Sequence, residues 1–127
     1  MNFKKIIFAG LASIALTACA TLGTNQPQLG LLETVQNIEV VPATENNTVR
    51  LIRFADNCLI EFEAQLDDST ATEQWYFKGD TLLSASTLIQ AQGDRATNRF
   101  DLENPNTQQN FAMLKKHFSA DHQKYCD

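Results

Sequence analysis

Cys58-Leu59-Ile60-Glu61-Phe62-Glu63-Ala64-Gln65-Leu66 alternates along its whole length. Cys58, Ile60, Phe62, Ala64 and Leu66 fall on one side, and Leu59, Glu61, Glu63 and Gln65 on the other. Side chains repeat every two residues on a strand, so this spacing predicts a β-strand with one face inward. Carboxylates on the second face point to an antiparallel sheet that leaves one side wet. Cys58 therefore points into the core.

Outward from this strand, β-branched and aromatic segments recur every eight to twelve residues, separated by turn chemistry, which is the signature of a β-meander. Upstream, Thr34 to Val41 reads as a strand stopped by Pro42, and Thr48 to Ala55 as the next, closed by the tight turn Asp56-Asn57. Leu51 and Ile52 are adjacent, so that strand is expected to carry a bulge or to be buried on both faces. Downstream, Asp67-Asp68-Ser69-Thr70 turns the chain into Glu73 to Lys78, with Trp75 and Phe77 inward and Gln74, Tyr76 and Lys78 outward. Gly79-Asp80 is a hairpin turn, and Thr81 to Gln90 returns with Leu83, Ala85, Thr87 and Ile89 as its inner row. Gly93-Asp94 makes the next reversal, and Arg95 to Leu102 is a polar edge strand.

The period then changes. Asn104-Pro105 starts a helix, Asn as N-cap and Pro at the first helical position. Phe111, Leu114 and Phe118 form one narrow apolar stripe, and Lys115 and Lys116 sit near the end where the helix dipole favours cations. The fold class is α+β: an antiparallel meander of five or six strands with one C-terminal helix across the sheet.

The amino-terminal end has a different character. Lys4 and Lys5 precede an apolar run, Ile6 to Ala18, which closes on Leu16-Thr17-Ala18-Cys19. A helix of that run would measure roughly 20 Å, short of a hydrocarbon core of about 30 Å, so it has the dimensions of a secretory signal and not of a membrane span. The closing four residues resemble the lipobox of bacterial lipoprotein precursors. That resemblance covers about the first 20 residues. It implies that the signal, residues 1–18, is cleaved before Cys19, that the Cys19 thiol takes a diacylglycerol, and that the new amino terminus takes a further acyl chain such as palmitate. It also implies export to the outer membrane, because Ala20 rather than Asp follows the cysteine, with the domain facing the periplasm by default. Two or more acyl chains hold a protein where one lets it exchange. Residues 19–30 are then the lipidated cysteine and a tether, uncharged and punctuated by Gly23, Asn25, Pro27 and Gly30, and 31–127 the α+β domain. Leu29, Leu31 and Leu32 belong either to the tether or to the domain's first turn or strand.

Without residues 1–18 the chain keeps 109 of its 127 residues, a length suited to one core. It keeps 8 of 10 basic and all 15 acidic side chains, a net charge of −7. That argues against nucleic acid or an anionic surface as a partner, since those need a basic footprint. With Cys19 given to lipid, Cys58 and Cys126 remain as an even pair in an oxidising compartment, and a disulfide follows.

Other residue sets carry weaker signals. His117, Asp121, His122 and Cys126 include good zinc or copper ligands, but side chains five apart on a helix diverge by about 140°, and the disulfide claims the thiol. No metal or other cofactor is expected. Glu61 and Glu63 share a strand face without a visibly special setting, Asp67-Asp68 and Asp101 with Glu103 match no calcium-loop spacing, and Ser84 and Ser86 lack a glycine elbow. No catalytic residue is assigned, and the reading is non-enzymatic.

Trp75, Tyr76 and Phe77 are consecutive, and three adjacent aromatics on a strand cannot all face inward. Tyr76, outward and near Lys78, is the candidate contact for a partner, an envelope protein or a glycan. The function expected is binding or scaffolding at the outer membrane, anchored through Cys19. The alternatives are a periplasmic inhibitor of an envelope hydrolase such as a lysozyme or protease, and an enzyme or metal carrier.

Overall fold

The structure, a computed structural model, describes residues 29–40 and 43–127. The signal segment, Cys19, the tether as far as residue 28, and the strand stop at Pro42 lie outside the described residues. Among the described residues no helix is long and apolar enough to cross a membrane.

Six strands form one antiparallel sheet in sequential order: β1 Gly30–Gln36, β2 Asn46–Arg53, β3 Cys58–Gln65, β4 Thr70–Lys78, β5 Thr81–Ala91 and β6 Asp94–Arg99. Helix α1, Pro105–Lys115, crosses one face, followed by the short α2, Ala120–Gln123, and a 3₁₀ turn, Lys124–Cys126. The expected α+β meander is the observed architecture.

β3 behaves as its alternation predicts: Cys58, Ile60, Phe62 and Ala64 are buried under the helical layer with Val49, Leu51, Trp75, Phe77, Leu82 and Ala85. From α1 the stripe Phe111, Leu114 and Phe118 closes the core, extended one turn back by buried Thr107. Asn104 caps α1 through its side chain, which accepts from the Asn106 N–H at 2.8 Å. Phe77 and Phe111 meet with ring centroids 5.2 Å apart. Lys115 reaches over both rings to donate to the Gly79 carbonyl and the Asp80 carboxylate, each at 2.9 Å, tying the end of α1 to the β4–β5 hairpin.

Three expectations are corrected. First, β1 runs from Gly30 to Gln36 and not from Thr34 to Val41. Asn37 takes a left-handed conformation (φ 57°), which ends the strand and turns Ile38 into the core. Leu31 and Leu32 thus belong to the sheet, whose first strand begins at Gly30.

Second, the irregularity expected at Leu51-Ile52 sits on the neighbouring strand. Leu31 pairs with Ile52 and Glu33 with Leu51, leaving Leu32 as the extra residue of a bulge, while β2 keeps perfect register with β3.

Third, Leu82 and not Leu83 opens the inner row of β5, while Ala85, Thr87 and Ile89 keep the face expected of them. Tyr76 pairs with Ser84 but Phe77 with Leu82, so Leu83 is bulged out and the alternation changes phase. Leu83 is exposed, as is Ile89 beyond the reach of the helical layer.

The expected C-terminal helix is present as α1, and the chain beyond it adds the short α2 and the 3₁₀ turn. Ser119 caps α2, accepting from the His122 N–H, and Gln123 donates to the Lys115 and Phe118 carbonyls, both at 2.8 Å, tying α2 to the end of α1. Smaller shifts occur elsewhere: the last hairpin turns on Gln92-Gly93, both at positive φ, and β6 stops at Arg99.

The disulfide is present. Cys58 and Cys126, 68 residues apart, are bonded with their Cα atoms 5.5 Å apart. The Gly79 N–H donates to the Cys126 carbonyl at 2.7 Å, so the carboxyl-terminal segment is held to the sheet by a covalent bond and a hydrogen bond.

Candidate functional site

Strand register gathers several elements at one end of the sheet. Gly30 pairs with Arg53, Arg53 with Cys58, Cys58 with Phe77 and Phe77 with Leu82. This row joins the start of β1, the β2–β3 turn, the β4–β5 hairpin and, through the disulfide, the 3₁₀ turn. Tyr76 lies here on the face opposite α1, as expected. Its cross-strand neighbours Leu59 and Ser84, with Ile52 beyond Leu59, make an outer row. Leu59, assigned to the polar face by alternation, is buried within that row.

Tyr76 does not stand alone. Phe54, the first residue past β2, stacks on it with centroids 6.3 Å apart and planes inclined by 29°. Phe54 is held in place by its own N–H, which donates to the Asn57 carbonyl at 2.8 Å across the turn. Tyr76 is half-buried as a result, and Phe54 carries the exposed surface, at 43% of its maximum. Lys78 is exposed and lines a small cleft with Phe54, Asn57 and Tyr125. Arg53 also lines the cleft, its Nε donating to the Tyr125 carbonyl at 2.6 Å. The cleft holds about 80 Å³, well under the roughly 300 Å³ at which small-molecule pockets begin. What this corner presents is a surface, not a pocket. Phe54 was missed in the sequence because its placement inside a strand concealed that it begins a turn.

The opposite end carries an open groove of about 800 Å³ between the β3–β4 and β5–β6 turns. Its lining is polar loop, including Asp67, Asp68, Asp94 and Arg95.

A second cluster joins residues far apart in the chain. Glu33 Oε1 accepts from the Ser119 N–H at 3.0 Å and from its hydroxyl at 3.1 Å, and lies 2.8 Å from His122 Nδ1. Burial works to raise the Glu33 pKa, but the His122 and Ser119 hydrogen bonds outweigh it and hold the carboxyl below its ordinary value. Serine, histidine and glutamate meet here, yet the serine hydroxyl and the carboxylate both contact the same ring nitrogen, Nδ1. A histidine that activates a serine uses one nitrogen for each partner. The arrangement is a cap for α2 that latches it to β1.

The residues weighed as metal ligands are dispersed: His122 turns to Glu33, Cys126 is in the disulfide, and among the described residues no group of three histidine, cysteine, aspartate or glutamate side chains is placed to hold a metal ion. Glu61 pairs with Arg50 across the sheet at 3.1 Å, and Asp101 accepts from the Glu103 N–H in the turn before α1. Glu73 lies on the helix-bearing face between Phe62 and Thr87, accepting from the Trp75 indole N–H at 3.1 Å. Burial raises its pKa, which the indole hydrogen bond only partly opposes.

No protein family, no curated protein and no solved structure matches this chain.

Proposed function

We propose that the mature protein is a lipid-anchored component of the bacterial cell envelope, held at the outer membrane through Cys19, that acts by binding a partner and not by catalysis. The lipobox-like Leu16-Thr17-Ala18-Cys19 supports the anchor. The binding role is supported by one observation above all: the Phe54–Tyr76 stack beside Lys78, an aromatic surface with a cation at its edge on the face that α1 leaves uncovered. Aromatic residues at a contact contribute large apolar area at little conformational cost, and a protein or glycan partner suits such a surface.

Two measurements test this reading. Cells fed radioactive fatty acid should label the protein, and the label should vanish in Cys19→Ser. Protein purified from membranes should retain one stoichiometric envelope protein or glycan, lost in Tyr76→Ala while the Cys58–Cys126 bond and the thermal melt persist. Retention unchanged in Tyr76→Ala would remove this surface as the site.

A further inference from the structure

The exposed apolar side chains are distributed unevenly. Among the described residues the large exposed hydrophobics are Leu29, Leu31, Phe54, Leu83, Ile89, Met113 and Tyr125. Scattered singly, such residues need no explanation. Here Leu29 and Leu31 flank Gly30, Phe54 follows its partner Arg53, Leu83 follows Leu82 in the same row, and the Tyr125 carbonyl accepts from Arg53. Five of the seven therefore rim the end of the sheet where β1 begins. The rim also carries exposed Asp56, Asp80 and Asp127, whereas the other end is built of Asp67, Asp68, Gly93, Asp94 and Arg95.

Chain length gives this asymmetry a direction. Nine residues separate Cys19 from Leu29. Fully extended they span roughly 30 Å, at about 3.3 to 3.6 Å per residue. β3 has eight residues, so the sheet is itself about 26 Å tall at ~3.3 Å per residue. With Cys19 in a bilayer, the polar end reaches the lipid only if the connecting chain is stretched along the whole sheet. The apolar rim reaches it at any extension.

We infer that this rim rests on the surface of the phospholipid bilayer through Leu29, Leu31 and Leu83 in the interfacial region, with the Phe54–Tyr76 stack left open to the partner. The inference rests on the lipid-anchor reading of Cys19. Tyr125 has the apolar body and polar tip that settle at headgroup level. The domain then stands with its strands upright, the Asp67–Asp94 end farthest from the membrane and the flat outer face turned sideways. Three apolar contacts alone would exchange freely. The lipid supplies retention and the rim supplies orientation.

The test uses the full-length, membrane-extracted protein in vesicles of phosphatidylethanolamine and phosphatidylglycerol with bromine-labelled acyl chains. Leu83→Trp and Asp68→Trp place an indole at the two ends, read above the background of buried Trp75. The expected result is a blue-shifted Leu83→Trp emission quenched several-fold more strongly than that of Asp68→Trp. Equal quenching at the two positions, in protein that floats with the vesicles, overturns this inference and leaves the anchor standing. Protein that carries no acyl mass and does not float overturns both. Leu83→Trp emission that is blue-shifted without vesicles and concentration-dependent assigns the rim to a second copy of the chain, and so overturns the lipid contact as well.

Discussion

Glu33 on β1 and His122 on α2, 89 residues apart in sequence, meet at 2.8 Å, with Ser119 completing the contact. Together they fasten the helical layer to an edge strand. Because the carboxyl is held below its ordinary value of 4.5, the folded state binds its proton less readily than the unfolded chain does. The contribution is therefore fully present above about pH 4.5 and is lost as pH falls through the folded value. Urea unfolding should show Glu33→Gln less stable than the parent at pH 7, with the gap narrowing towards pH 3. A gap constant across that range would mean the carboxylate charge plays no part.

Ser119 serves the same junction as the α2 cap. Ser119→Ala removes the hydroxyl that accepts from the His122 N–H and donates to Glu33. A cost of about 1 kcal/mol is expected from chemical denaturation, in the usual range for a lost N-cap.

Glu73 has the opposite linkage. Burial raises its carboxyl, so its protonated form favours folding, and the contribution is present at low pH and lost as pH rises through the folded value. Glu73→Gln keeps an oxygen for the Trp75 indole and removes the charge. It should raise the melting temperature at pH 7, and the gain should fall away near pH 4.

Asn47 is buried at 5% exposure, and its side chain accepts from the Ile38 N–H at 2.9 Å and donates to the Ile38 carbonyl and the Thr44 hydroxyl, each at 3.0 Å. Asn47→Ala strands two buried backbone groups of Ile38. A loss of about 2 to 3 kcal/mol is expected, at roughly 1 to 3 kcal/mol for each unsatisfied group, measured by urea unfolding.

The disulfide closes a loop with a sequence separation of 68 residues, for which chain entropy assigns a stabilisation of about 4 kcal/mol. Cys58→Ala with Cys126→Ala should lower stability by that order. Amide exchange should quicken first in α2 and the 3₁₀ turn, which then rely on the hydrogen bonds from Gly79, Arg53 and Gln123 and on the Glu33 cluster.

Legibility in the sequence followed the range of the interaction. β3 and β4 were readable because strict alternation needs no partner to interpret, and α1 because Asn104 and Pro105 act within one turn. The inward placing of Leu82 was not, since the bulge at Leu83 arises where β5 is pinned to β4 and shifts the phase at the start of the strand. The true end of β1 was hidden for a similar reason. Asn37 adopts its left-handed turn while Asn47, ten residues on, receives it: the Asn37 N–H donates to the Asn47 carbonyl and the Asn37 side chain accepts from the Asn47 N–H. Of the candidate site, Tyr76 and Lys78 were legible as outward residues of β4, whereas Phe54 became part of it only when the β2–β3 turn laid its ring on Tyr76.

By itself the sequence determined the class of the fold, most of its strands, the start of its helix and the pair of cysteines available to bond. These rest on period, capping and count, which act over a few residues or over none. Only the tertiary structure decided that Glu33 meets His122, that Asn47 holds Ile38, and that Gly30, Phe54, Leu83 and Tyr125 share one end of the sheet. Those relations depend on strand register and on two bulges. A shift of one residue there moves a side chain to the opposite face, and the pairing energies that settle it are summed across strands that no local pattern connects.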